Sequence, residues 1–238
     1  MILNVSGRTD IVAFYTPWFM SRYKQGFVDV RNPIYPKLVS RIYFNDVDLI
    51  VFCTKNPHPI LPYIKEMKQP ILFQVTLTPY KKDIEPNVND KRQVIEDIKK
   101  ISKILGNENV YVRYDPIFLS DKYSVEYHIK AFAKLCSELD GYVKHIIVSF
   151  LDDYKNVRKN MGVLRVKNFS NEDFKEIGLF FSEITSKHGM TVQTCSECNT
   201  LEEYGFLVDD CVSRDLAKRI TGKNYPKWKG RNNKYCGC

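Results

Sequence analysis

Six short apolar runs, rich in β-branched and aromatic residues, set the architecture: ILNV (2–5), LIVFC (49–53), ILFQVTL (71–77), VYVRY (110–114), HIIVSF (145–150) and TVQTC (191–195). None alternates strictly between apolar and polar, so each reads as a strand covered on both faces. Helical patterns with readable ends fill the gaps. Thr16-Pro17 is an N-cap and first-turn pair with Gly26 as the stop, and Asp90 opens an amphipathic stretch closed by Gly106. Ser124 opens a helix ending near Gly141, and Ser170 with Asp173 makes a capping box before another. FVDVRNPIYPKLVSRIYF, around Pro33 and Pro36, reads as a hairpin inserted in the first crossover. Strands alternating with helices in this way are parallel and joined by right-handed crossovers. The open question is whether the sheet is doubly wound or curls into a barrel.

The carboxyl ends of the strands bear on that choice. They read Ser6-Gly7-Arg8-Thr9-Asp10, Thr54-Lys55-Asn56-Pro57, Thr76-Leu77-Thr78, Arg113-Tyr114-Asp115-Pro116, Ser149-Phe150-Leu151-Asp152 and Thr194-Cys195-Ser196-Glu197. An open sheet gathers its site at one switch point, whereas a barrel lets every strand contribute. Six polar endings favour the barrel. The expected fold is therefore a parallel (βα)6 partial TIM-type barrel over residues 1–222, with a basic, cysteine-containing tail at 223–238. Arg8, Asp10, Lys55, Arg113 and Asp115 are the candidate pocket residues. The cations would hold an anionic substrate or a cofactor carboxylate, and a carboxylate would serve in hydrogen bonding or proton transfer. Each has a plainer reading: Asp10 as a helix cap, Lys55 as a solvated side chain, and Arg113 with Asp115 as a structural ion pair. The last two residues leave their strand on the same face because they alternate.

A chain of 238 residues, 44% of them apolar, is long enough for one large core and short for two domains. It contains no apolar run long enough to span a membrane, and its first residues do not read as a signal peptide. A cytoplasmic location without membrane association is the expectation. The four histidines show no H-x-x-x-H or H-x-x-E spacing. The nucleophilic-serine elbow, the phosphate loop and the dinucleotide fingerprint are missing as well, so those enzyme classes lose their usual signals. The net charge is +8; seven Lys and Arg and no acidic residue come after Asp215, so all but one of those charges belong to the C-terminal end. Tyr225, Trp228 and Tyr235 interleave with them. That pattern suits phosphate contact with base stacking, or a solvated tail whose aromatics pack back on the body.

The seven cysteines are the sharper signal. Cys53 and Cys136 lie in apolar segments and read as small core residues. Cys195, Cys198, Cys211, Cys236 and Cys238 crowd into the last 44 residues. In a reducing compartment such crowding points to metal binding before disulfides. Thiolates suit zinc or an iron-sulfur cluster, and four suffice for either. With Cys195 as a ligand, the metal would lie at the polar rim.

The strings SGRTDI, VRNP, VFCTKNP, FQVTLTPY with DIEPN after it, VRYDPI, and SF with DDY and RKNMG after it resemble the DUF1848 family, from about Leu3 to Cys238. The resemblance implies a fold like that of the radical S-adenosylmethionine enzymes. Longer members add a C-x-x-x-C-x-x-C cluster just after the C-G-C pair, similar to that of spore photoproduct lyase. By position, Cys195, Cys211, Cys236 and Cys238 match the family's cysteines, and Cys198 is an extra one. No C-x-x-x-C-x-x-C occurs in these 238 residues, since position 191, where it would need a cysteine, holds Thr191. The implied function is a metal- or iron-sulfur-dependent enzyme of the radical-S-adenosylmethionine-like class. S-adenosylmethionine would bind only if a further cysteine cluster lies beyond residue 238. The reading from another class is a nucleic-acid-binding protein with a structural, cysteine-ligated zinc and the basic aromatic tail. An enzyme whose cysteines are incidental is the third.

Overall fold

The computed structural model describes residues 1–151, 155–195, 197 and 201–226. Strand β1 (Ile2–Asn4) leads into helix α1 (Ile11–Gln25), the hairpin β2 (Phe27–Arg31) and β3 (Val39–Tyr43), and then β4 (Leu49–Thr54). Next come β5 (Ile71–Thr76), α2 (Lys91–Leu105), β6 (Val110–Ile117), α3 (Val125–Glu138), β7 (His145–Phe150), α4 (Lys155–Leu164) and α5 (Asn171–Lys187). The chain continues through β8 (Thr191–Thr194), β9 (Leu207–Val208) and α6 (Arg214–Thr221). Seven strands form one parallel sheet in the order β1-β4-β5-β6-β7-β8-β9, and the antiparallel hairpin stands apart as its own two-stranded sheet.

Because every step moves to the next neighbour in the same direction, the crossover helices collect on one face. That face is the main core. It joins Ile50, Phe52, Phe73, Val112, Val148 and Val192 of the strands to Phe19, Ile98, Phe132 and Phe181 of the helices. Phe132 and Phe181 stack with ring centroids 3.7 Å apart and lock α3 to α5. The second face is covered over its lower half by α6, whose Leu216 and Ala217 pack on Leu49, Val51, Leu72, Tyr111 and Ile147. The strands are thus apolar on both sides, as their near-continuous runs require.

The elements differ from the sequence reading in several places. Helix α1 begins five residues before Thr16, because Asp10 caps it by accepting the amide of Ala13; a break at Tyr15 then lets Pro17 sit inside the merged helix. Strand β6 continues past Tyr114 through Pro116. Its register against β7 shifts there and resumes at Ile117, since proline offers no N–H to the ladder. α4, β9 and α6 are additions to that reading, each of ten residues or fewer and so too short for a clear periodic pattern. The distal part of the expected tail, from Lys227, lies outside the described residues. Its proximal part is anchored: Lys223 pairs with Asp48, and the Tyr225 hydroxyl donates to Thr221.

His128, fully buried on α3, is held between the Tyr114 hydroxyl on Nδ1 and the Phe118 carbonyl on Nε2, each at 3.0 Å. The neutral ring satisfies both partners, with Nε2–H donating and Nδ1 accepting. Burial drives its pKa from the ordinary 6.5 down to about 4. The unfolded chain takes up this proton first as pH falls. Stability should therefore drop between pH 6.5 and about 4, by about 3 kcal/mol in total. Urea midpoints measured across that range should show the slope in the wild type and a flatter profile in His128→Gln.

Candidate functional site

The second sheet face changes character along the strands. Below are the apolar residues under α6. Above them, at the carboxyl ends, the same alternation brings Gln74 of β5, Arg113 and Asp115 of β6, Ser149 of β7 and Cys195 after β8 onto one side.

Arg113 is the hub. Its Nε donates to Asp115 Oδ2 at 2.8 Å, and its Nη2 makes a second, very short contact to the same oxygen. Nη1 reaches Gln74 Oε1 at 3.3 Å and the Cys211 sulfur at 3.2 Å. Gln74 returns from its amide nitrogen to the Cys211 carbonyl at 2.6 Å, and Ser149 donates to the other Asp115 oxygen at 2.5 Å. The Cys195 and Cys211 sulfurs lie 2.6 Å apart and are not joined in a disulfide. Burial acts to discharge Arg113, but Asp115 first, then Cys211, Cys195 and Cys53, hold its pKa well above the ordinary value. A guanidinium in contact with a thiol favours the anionic sulfur, the form that binds metals and attacks electrophiles. Cys53 stands beside Gln74 on the same sheet face, and there burial raises the thiol pKa against the opposing pull of Arg113.

Beside this cluster opens a cleft of about 580 Å3 between the loop after β1, the end of β4 and the segment Asn87–Asn89. Arg8, Asp10, Cys53 and Lys55 line it. Asp10 is a structural tie as well as a lining residue: its second oxygen accepts from the Thr54 hydroxyl and the Lys55 amide, both at 2.9 Å. Arg8 is exposed and donates to the Arg31 carbonyl of the hairpin. Lys55 meets Glu85 at 2.5 Å, and Glu85 also receives Thr78 at 2.6 Å and Lys91 at 3.0 Å. Burial pushes the Glu85 carboxyl up, yet the bonds from Lys55 and Thr78 outweigh it and hold the pKa below the ordinary range. Burial likewise lowers Lys91 against the attraction of Glu85. Glu85→Ala should cost about 1–3 kcal/mol in urea unfolding, because it leaves half-buried Lys91 without its carboxylate.

The structure thus gathers Arg113, Asp115, Cys195 and Cys211 into one contact cluster and sets Arg8, Asp10 and Lys55 in the adjoining cleft. Cys198, Cys236 and Cys238 lie outside the described residues. Among the described residues no group of three or more His, Cys, Asp or Glu side chains forms a metal-binding set. Sequence reasoning misses Gln74, Ser149 and Glu85. The first two carry a readable signal, a polar residue at an alternate position inside FQVT and VSF. Glu85 carries none, since its role depends on lysines from two other segments.

The family described as "Domain of unknown function (DUF1848)" matches residues 2–238. No curated protein matches the chain. No helix of the described residues is long and apolar enough to cross a membrane.

Proposed function

The chain belongs to the DUF1848 family, and from that premise we propose a metal- or iron-sulfur-dependent enzyme of the radical-S-adenosylmethionine-like class, built as a (βα)6 partial barrel with its chemistry at the carboxyl ends of the strands. The observation that carries the reading is the Cys195–Cys211 pair in contact with Arg113 at that rim. The singly wound strand order, with all crossover helices on one face, supports the barrel.

Two adjacent sulfurs fit a thiolate-bound centre as half of a four-thiolate set. Cys195 and Cys211 would hold it, and Cys236 and Cys238 would supply the remaining ligands. A bound iron-sulfur cluster would supply one-electron chemistry; zinc would supply structure alone. The three-cysteine pattern that serves S-adenosylmethionine is not in these 238 residues.

The remaining roles fall to the chain's own side chains. Arg113 neutralises the sulfurs and is held in place by Asp115 and Gln74. Lys55 and Arg8 offer positive charge to an anionic group in the cleft. Asp10 fixes the β4 loop that carries Lys55. The test is metal and acid-labile sulfide analysis of protein purified without oxygen. Iron with sulfide is the expected result, zinc would turn the centre into a structural one, and metal-free protein would overturn the reading.

A further inference from the structure

The basic tail is not the only place where cations and aromatics meet. Residues 1–43 hold six Lys and Arg against two Asp, a net +4, and α1 and the hairpin expose their aromatics to solvent. Phe14 is 73% exposed, Tyr35 68% and Trp18 46%. Large apolar side chains exposed on two elements that pack together, α1 and the hairpin, mark an interaction surface. Arg8, Arg31 and Lys37 sit among them, exposed, and have no acidic partner among the described residues.

The surface has a built groove. A cavity of about 430 Å3 runs between the hairpin, β1 and α1, floored by Val5, Val28 and Ile42 and edged by Trp18, Arg8, Arg31 and Asp29, whose carboxylate is taken up by Arg41. It shares Gly7, Arg8 and Thr9 with the 580 Å3 cleft, so the two are continuous at Arg8. An apolar slot beside an indole takes a planar ring, and an exposed arginine at its edge takes a phosphate. The aromatics do not stop at the slot: Phe14 flanks the cleft, and Tyr35 lies toward the hairpin tip. Several stacking platforms beside the exposed cations Arg8, Arg31 and Lys37 fit a chain of bases better than a single nucleotide.

We infer that the α1 and hairpin surface binds single-stranded nucleic acid, stacking a base on Trp18 and leading the strand past Arg8 into the cleft. This does not rest on the thiol pair, so the failure of either reading leaves the other standing. It also differs from binding through the tail, which would need Trp228.

The probe is a fluorescein-labelled 15-nucleotide oligo(dT) titrated with the full chain by anisotropy. Binding should weaken with salt at a log–log slope of about −2, for some three neutralised phosphates. Trp18→Ala should weaken it roughly five- to hundredfold, and Arg31→Glu with Lys37→Glu should flatten the salt dependence. Both changes are on exposed positions, and circular dichroism checks their folding. In Trp228→Phe protein, where Trp18 is the remaining tryptophan, the oligonucleotide should still bind and should quench the intrinsic fluorescence. Four results would overturn the proposal: no binding at low salt, binding lost in Trp228→Phe but kept in Trp18→Ala, thymidine monophosphate competing as tightly as the strand, or a dimer that shields Trp18 and binds no oligonucleotide.

Discussion

Asp115→Ala should lower the free energy of unfolding by about 3–5 kcal/mol, the cost of leaving one member of a buried ion pair alone. The pair is largely withdrawn from water: the Arg113 and Asp115 side chains are 14% and 18% exposed. Removing the carboxylate leaves the guanidinium hydrogen-bonded to the Gln74 carbonyl and the Cys211 sulfur, neither of which carries a full compensating charge unless the sulfur is ionised. Ser149 loses its acceptor in the same step. Asp115→Asn, which keeps an oxygen for Arg113 or Ser149, should cost less than the alanine change. Ser149→Ala should cost about 1 kcal/mol, the usual worth of one hydrogen bond. Urea unfolding at neutral pH measures all three. An alanine variant within about 0.5 kcal/mol of the wild type, the range of an ordinary surface change, would mean that the pair does not hold the rim together. A functional role for Asp115 would then have to be argued without any structural one.

That ion pair also shows where sequence reasoning reaches and where it stops. Arg113 and Asp115 can be placed on one face because strand side chains alternate, a property of local geometry. What they meet cannot, since Gln74, Ser149 and Cys211 arrive from 39, 34 and 98 residues away. The central strands are legible because a strand buried on both faces must be apolar nearly throughout. Helix α6 is not: it needs only the narrow stripe of Leu216, Ala217 and Ile220, because it covers only half of a sheet face, and a stripe that short among cations sets up no periodic pattern. Asp10 reads two ways, as a cap and as a pocket residue, and its two oxygens divide accordingly. One caps α1, and the other ties down the loop that carries Lys55 at the edge of the cleft. The crowding of cysteines near the end points to Cys195 and Cys211 together, while their contact with Arg113 becomes visible only once β6 and β8 are seen flanking β7.

Cys211→Ala should reduce bound metal to background while leaving the fold in place. The change removes a single sulfur from a buried position, so the packing loss is on the order of 1 kcal/mol. The Cys211 carbonyl still receives the Gln74 amide, since the backbone is unchanged. Metal binding is far more sensitive, because a four-thiolate centre stripped of one ligand loses both a bond and a negative charge. Cys195→Ala should behave the same way, and Cys136→Ala, buried in the main core far from the rim, should keep full metal content at a comparable cost in stability. The comparison separates ligand loss from general damage: iron, zinc and sulfide are measured on all three proteins alongside their urea midpoints. Equal metal in Cys211→Ala and wild type would remove this pair from the centre. Metal absent from every protein, with both thiols open to alkylation after reduction, would leave Arg113 beside a reactive dithiol and would shift the chemistry of the rim from a bound inorganic group to the sulfurs themselves.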